Sequence, residues 1–418
     1  LLKQFGLPPS ALYSVSGPVN LVRLNQLIDQ AKGDALRFPP FEPGWPSGQL
    51  PRGGSIFAQL AERDVLLHHP FESFEPVVQF LREAVHDPEV LAIKQTIYRT
   101  GSESELMDLL MEAVRRGKEV TVVLELQARF DEEANINWAE RLEAVGAQVV
   151  YGLVGLKTHA KLLLVTRRES WHRSKSPLRR YAHLSTGNYN AKTARLYTDV
   201  GMLTADPELT ADIDAVFLKL ATQTPLLAPN RLLVAPTQLH AQLLWHLAQV
   251  AEAASAGRPA RVVVKVNSLT DPQLIDALVA ADRAGARIDL IVRGPCMLRP
   301  GVPGRTERTR VRSVVGRFLE HTRVLYFRWG EGDRDEALYL SSADWMTRNM
   351  AHRIEVAWPI RDAAMRQRVI DECLVPYLMD GRDAWDLDAN GRYRAVNGQS
   401  PGAQQALMQR LGSSRNAA

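Results

Sequence analysis

Lys157-Thr158-His159-Ala160-Lys161-Leu162 decides the fold, because the chain comes close to repeating it as Leu319-Glu320-His321-Thr322-Arg323-Val324. Both stretches read His-x-cation at the head of an apolar run. On a strand, residues i and i+2 share a face, so each histidine is expected to point the same way as its cation. A second match follows in the same order: Leu184-Ser185-Thr186-Gly187-Asn188-Tyr189 with Leu340-Ser341-Ser342-Ala343-Asp344-Trp345. The His-to-Ser spacing is 26 residues in the first half (159 to 185) and 20 in the second (321 to 341). A longer polar hairpin through Arg167–Arg180 accounts for the difference.

Outward from these stretches the pattern is α/β. Val90–Ile97 reads as a strand. Ser102–Arg116 reads as a helix, with Ser102 and Glu105 as a capping box and Gly117 at the stop. Glu119–Leu126 is expected as a strand, Asn135–Val145 as a helix, and Gln148–Val154 and Leu156–Val165 as strands. In the second half, Val262–Val266 is a strand and Thr270-Asp271-Pro272-Gln273 opens a helix that Gly285 ends. Arg287–Val292 follows as the next strand. From the stop glycine to the end of that strand is eight residues in both halves, Gly117 to Glu125 and Gly285 to Arg293. Lys94 and Lys265 sit at comparable points on the first strands. Such alternation implies mixed sheets flanked by helices, and the repeated order implies a duplication.

Composition sets the frame. The chain has 418 residues, 45% hydrophobic and 23% charged, which suits a soluble globular protein of two or three domains and excludes collagen-like, disordered and disulfide-scaffold classes. No apolar run approaches the ~20 residues that span a bilayer. Two distant cysteines, Cys296 and Cys373, fit a reducing compartment. The opening Leu1-Leu2-Lys3-Gln4 has neither methionine nor an apolar signal core and reads as the interior of a longer protein. Net charge is +4, and eight arginines between Arg293 and Arg323 stand against only Glu307 and Glu320. That stretch reads equally as a polyanion-binding surface or a solvated loop.

Two duplicated halves packed about a pseudo-twofold axis would bring two His-plus-cation faces to one site. A neutral imidazole attacks phosphorus, a second histidine protonates the leaving oxygen, and cations hold the remaining oxygens. The chemistry is phosphoryl or phosphodiester transfer. His68, His69 and His183 read as structural, and Trp138, Trp245, Trp329, Trp345 and Trp358 as core or rim. The sequence has no standard Cys/His metal spacing, no phosphate-binding P-loop and no Gly-x-Ser-x-Gly elbow.

The paired His-x-cation motif with its downstream small-residue turn resembles the phospholipase D superfamily, and implies two duplicated phospholipase D-like α/β domains. That superfamily carries an aspartate five residues after the lysine, where this chain has Thr166 and, in the second half, Arg328. The chain more closely resembles the first polyphosphate kinase family. The matching stretches include Asp64 to Phe74, Ile93 to Thr100, Ala128 to Asn135, Tyr151 to Lys161, Thr186 to Asn190, Thr193 to Asp199, Arg299 to Gly304, Gly316 to His321 and Ser341 to Asn349. The resemblance implies reversible transfer of the ATP terminal phosphate to inorganic polyphosphate through a phosphohistidine, with Mg2+. It implies His159 as the nucleophile, His321 as the second histidine near the nucleotide, and Lys161 beside them. Tyr197 and Arg293 match nucleotide-binding positions, and Arg323, Lys94 and Asn188 join them as phosphate-binding candidates. Arg99 and Arg129 match magnesium-associated positions. A guanidinium only donates, so both are read as phosphate clamps beside the ion. The arginine-rich stretch becomes a basic path for polyphosphate.

The expected domains are 1–60, the end of a head domain with its linker; 61–226, the first catalytic domain; and 227–418, the second, with a mobile tail from about Asp388. Their boundary falls in the linker Thr222–Pro229. The family's N-terminal domain and most of its head domain are missing. Gln127 and Ser185 depart from residues common in the family, Lys and Gly. The expected partners are ATP, ADP and polyphosphate, not nucleic acid, in a homo-oligomeric full-length protein that is cytoplasmic or membrane-associated. The competing readings are a phospholipase D-type phosphodiesterase and a non-catalytic polyphosphate-binding fragment.

Overall fold

The computed structural model describes all residues except 1, 13, 18–23, 31–32, 34–35, 100, 102, 126–131, 154, 170–176, 225–229 and 414–418. It divides into two compact units, Leu1–Phe41 and Glu42–Ala418. The described residues of the short first unit hold a 3-10 turn at Pro9–Ala11 and a helix at Asn25–Gln30. Its Arg37 Nη2 donates to the Ile28 carbonyl at 2.5 Å.

The second unit is built on two mixed sheets. The first runs Val65–His69, Tyr197–Thr204, Leu178–Ser185, Lys161–Arg168, Val90–Ile97, Glu119–Leu124, Gln148–Val150. The second runs Tyr393–Ala395, Ala384–Leu387, Thr309–Val314, Arg287–Val292, Arg261–Val266, Val324–Arg328, Glu336–Ser341, Arg353–Pro359. Near-continuous apolar strands such as Val120 to Leu124 and Val262 to Val264 are what a sheet covered on both faces requires. In the first half, Leu163, Val165 and Leu203 pack under the helices Glu75–His86, Glu105–Arg115 and Glu132–Val145. Burying each such side chain contributes about 1.5–3 kcal/mol. In the second half, the helices Leu239–Ser255 and Pro272–Ala284 cover Val262, Val264 and Leu290. Asp271 caps the latter helix by accepting from Leu274 N, Pro272 occupies its first turn, and Gly285 closes it at φ 112°.

Two reciprocal crossings tie the halves together. Lys157–Thr158 leaves the first half and pairs in parallel with Arg353 and Ile354 of the second sheet. Leu319–Glu320 leaves the second half and pairs in parallel with Tyr197 and Thr198 of the first. The duplication is therefore expressed as an exchange of edges.

Several expectations change here. The strand expected over Leu156–Val165 is two strands, Lys157–Thr158 and Lys161–Arg168, in different sheets. His159 lies in the crossing between them, and His321 lies likewise between Leu319–Glu320 and Val324–Arg328. The shared-face argument for His159 and Lys161 therefore fails. The pairing of Lys94 with Lys265 is off by two residues. Lys265 lies beside Ile291 and Thr96 beside Val123, each six residues past its stop glycine, so Thr96 is the counterpart of Lys265. The expected mobile tail forms the strand Tyr393–Ala395 and the helix Ala403–Leu411, which buries Ala403, Gln404 and Leu407. Within 1–60, Leu50, Ile56, Phe57 and Leu60 belong to the core of the first sheet. Ser102 and most of the linker Thr222–Pro229 lie outside the described residues. The helix after Ser102 has Ser104 at its N-cap.

Candidate active site at the exchanged edges

Each crossing delivers one histidine. After the Lys157–Thr158 strand, the backbone N–H groups of His159 and Ala160 both donate to the Ile354 carbonyl, at 2.9 and 3.0 Å. This fixes the turn that swings the imidazole into the domain interface. His159 Nδ1 then lies 2.9 Å from Glu355 Oε2. Glu355 is fully buried and also accepts from Ser342 Oγ at 2.5 Å and Asn349 Nδ2 at 2.7 Å. On the other side, His321 Nδ1 lies 2.9 Å from Asp199 Oδ1, which accepts from Thr186 Oγ1 at 2.6 Å.

The two corners match residue for residue. Asp199 and Glu355 each follow by two the residue that pairs with the incoming strand, Tyr197 and Arg353. The Thr186 and Ser342 hydroxyls each accept from the backbone N–H after that acid, Val200 and Val356, both at 3.0 Å. A carboxylate on Nδ1 makes Nδ1 the protonated nitrogen and leaves the lone pair on Nε2.

Electrostatics keep both rings neutral. Burial, then the nearby Lys161, Arg353 and Arg323, holds His159 well below its usual range. Burial and Arg323 also lower His321, against the pull of Asp199. Lys161 acts on His321 as well, so the two histidines share one electrostatic cluster. Burial raises the Glu355 carboxyl to about 7, opposed by Lys161, Ser342 and Arg353. Asp199 behaves differently: burial pushes it up, but His321 and Thr186 prevail and hold it below the usual carboxylate range.

The cations are buried. Lys161, 1% exposed, donates from Nζ to the His159 carbonyl. Arg323 holds Asp344 through Nε and Nη2, at 3.2 and 3.1 Å, and donates from Nη1 to the His321 carbonyl at 2.7 Å. The same Nη1 lies 3.1 Å from both ring nitrogens of His321, so the guanidinium rests against that imidazole. The corresponding Lys161 leaves the His159 ring edge-on to Tyr98, with centroids 4.8 Å apart.

Of the other expected residues, Tyr197 lies with its ring 5.4 Å from that of His321. Arg293 donates from Nε to Asn267 Oδ1 at 3.1 Å and is lowered by burial and by Arg323. Arg99 stacks over Tyr98, 5.3 Å from the ring centre, on the His159 side. The Asn188 Oδ1 is buried next to the Thr186–Gly187 turn. Arg129 lies outside the described residues. Lys94 goes elsewhere: its Nζ pairs with Asp214 at 2.8 Å, an acid that Arg180 also holds at 3.0 Å. The arginine-rich stretch divides too, since Arg312 turns to Asp386 at 2.8 Å and to the carbonyls of Tyr377 and Leu378. A cavity of about 470 Å³ lined by Arg261, Arg287, Arg310 and Arg312 opens there and includes neither histidine. His68, His69 and His183 are buried outside the cluster, on Glu372, the Glu72 carbonyl and Tyr189.

Sequence reading missed Asp199, Glu355 and Arg353. A signal for the acids was present, because Thr186 to Asp199 and Ser342 to Glu355 both span 13 residues.

Comparison with known proteins agrees with this architecture. Residues 55–225 match the family described as polyphosphate kinase C-terminal domain 1, and residues 232–409 match polyphosphate kinase C-terminal domain 2. The chain is 51% identical to the polyphosphate kinase of Burkholderia multivorans over 394 residues, 94% of this chain and 57% of that protein. It is 52% identical to that of Pseudomonas aeruginosa over 397 residues, 95% of this chain and 56% of that one. The chain thus spans a little over half the length of these relatives. The solved polyphosphate kinase of Porphyromonas gingivalis superposes with a TM-score of 0.84 at 32% identity, covering 98% of this chain and 62% of that chain. With its two tandem domains matched by polyphosphate kinase C-terminal domains 1 and 2, the chain belongs to the polyphosphate kinases, as their C-terminal portion.

Proposed function

We propose that this chain carries out the phosphoryl-transfer chemistry of a polyphosphate kinase, moving the terminal phosphate of ATP to inorganic polyphosphate, reversibly, through a phosphohistidine at His159. The observation that carries this reading is the buried His159–Glu355 pair, 2.9 Å at Nδ1, with no arginine among the described residues lying against the His159 ring as Arg323 lies against that of His321. The Nε2 lone pair of His159 forms the N–P bond to the γ-phosphorus while the P–O bond to the β-phosphate breaks and ADP leaves. The phosphorylated ring keeps its Nδ1 proton and is cationic, and the Glu355 carboxylate neutralises it. In the second step a terminal oxygen of polyphosphate attacks the phosphorus, the N–P bond breaks, and neutral His159 is restored. Buried Lys161 and half-buried Arg353 offset charge that gathers on the transferring oxygens.

His321, Arg323, Arg293 and Tyr197 form the wall for the nucleotide's phosphates, with Arg99 on the His159 side. Asp199 on Nδ1 leaves no proton on Nε2 of His321, so in this tautomer the ring accepts a proton rather than donating one. The expected acid role therefore becomes an acceptor role. Among the described residues no group of three His, Cys, Asp or Glu side chains is placed to hold a metal ion. These residues do not fit a resident magnesium. Mg2+ enters as part of the nucleotide substrate, and no step here runs through it. Homo-oligomerisation in the full-length protein and independence from nucleic acid remain part of this reading.

The test is steady-state transfer: ADP released from ATP and polymer length gained, then ATP made from ADP and polyphosphate. Both directions should run and both should vanish in His159→Ala. Unchanged turnover in that variant would sink the reading. Hydrolysis of phosphodiesters without ATP would replace it with the phosphodiesterase reading, and binding of polyphosphate with no transfer would leave a binding fragment.

A further inference from the structure

We infer that Gln404, on the C-terminal helix, is a positioning residue for His321, acting through the two-residue strand that delivers it; the kinetic part of this inference rests on the function proposed above.

Leu319–Glu320 is too short to hold its own register, with one flanking backbone bond from Leu319 N to the Leu196 carbonyl at 2.9 Å. Gln404 supplies what is missing. Its Oε1 accepts from Phe318 N at 2.8 Å, and its Nε2 donates to the Phe318 carbonyl at 2.8 Å and to Glu320 Oε1 at 2.5 Å. The amide thus brackets the backbone of one residue as a neighbouring strand would, and both its donors and its acceptor are used. Glu320 passes the restraint on. Its Oε2 is paired with Lys265 Nζ at 2.7 Å and accepts from Thr198 Oγ1 at 2.8 Å. Thr198 Oγ1 in turn accepts the backbone N–H of His321 at 3.1 Å. A continuous chain of hydrogen bonds therefore runs from the C-terminal helix to the histidine backbone.

The helix is anchored at both ends. Asp380 Oδ2 accepts from Ala403 N at 2.7 Å, and Ser413 N donates to the Glu42 carbonyl at 3.0 Å. The approach of Gln404 also constrains the loop before the strand, because a Cβ on Gly316 would lie 2.5 Å from Gln404 Oε1. Among the described residues no side-chain amide brackets the strand that delivers His159 in this way. That strand is held by the Ile354 carbonyl and by Glu125 Oε2, which accepts from Thr158 N at 2.9 Å. The Gln404 restraint is thus specific to the His321 corner.

The test uses the full chain with ring-labelled histidine. Gln404→Leu keeps the side-chain volume and removes the amide. Expected are shifted, broadened His321 ring signals with unchanged His159 signals, and a kcat about 10-fold lower with KM for ATP within about 2-fold. In Glu320→Gln the loss from Gln404→Leu should shrink, because the two residues act through one bond. Unmoved His321 signals in Gln404→Leu would overturn the inference, and so would equal disturbance of both histidines with a large fall in Tm. The ring signals decide even if the wild-type chain transfers no phosphate, in which case only the functional reading fails.

Discussion

At His159 the Nδ1 acceptor is a glutamate that burial raises to about 7, and the cation two residues on is a lysine turned back to the histidine carbonyl. At His321 the acceptor is an aspartate held low, and the cation is an arginine lying against the ring. The two corners share one backbone plan and differ in the acid at each ring and the cation two residues on. The plan supplies a neutral imidazole twice. On the proposed function, these side chains leave the His159 ring open to phosphorus and set the His321 ring to hold phosphates.

Removing the acceptor at the open corner should do the most damage. Glu355→Gln keeps the shape, but its amide no longer requires the proton on Nδ1 and leaves a phosphorylated ring uncompensated. Formation of phosphohistidine should slow by about 100-fold, read by rapid quench. The pH profile sharpens the same point. His159 is depressed and remains neutral well below pH 6.5, so it does not set the acid limb. Glu355 is ionised above its raised value, so the rate should rise with pH through about 7 and level off above it. In Glu355→Gln that limb should disappear. A limb near 6.5 that survives the substitution would assign it to an ordinary histidine instead.

Asp199→Asn should cost less, about 10-fold in turnover, with phosphorylation of His159 from polyphosphate nearly unchanged. Equal losses on both donors would break the division of labour. The smallest expected effect lies in the turns behind the acids. A Cβ at Gly187 would lie 2.1 Å from Asp199 Oδ2, whereas the equivalent position 343 already carries alanine, behind the longer Glu355. Gly187→Ala should destabilise by about 1–3 kcal/mol in urea unfolding, and Ala343→Gly by about 1 kcal/mol or less. Comparable values for the two would mean that the corners are more alike than their acids suggest.

The duplication, the alternating elements and both histidines were legible in the sequence, because apolar runs, stop glycines and His-x-cation pairs are local signals. The edge exchange was not. Leu156 to Val165 is one apolar run, and nothing local says that Lys157–Thr158 pairs with Arg353 and Ile354, almost 200 residues away. For the same reason the acids were missed: Asp199 and Glu355 act on histidines 122 and 196 residues distant. The tail was misread because Gln404 is polar, and polar residues in a Gly-rich segment suggest solvent. Here Gln404 is 2% exposed and its amide is fully bonded.

The measurement that bears most directly on the asymmetry is the position of the phosphate after mixing the chain with labelled ATP or labelled polyphosphate. Acid-labile, base-stable label should map by peptide mass spectrometry to His159 alone, with 31P chemical shifts of an Nε2-phosphoryl ring, and should be absent in His159→Ala. Label on His321, or shared between the two histidines, would contradict the assignment of separate roles to the two corners.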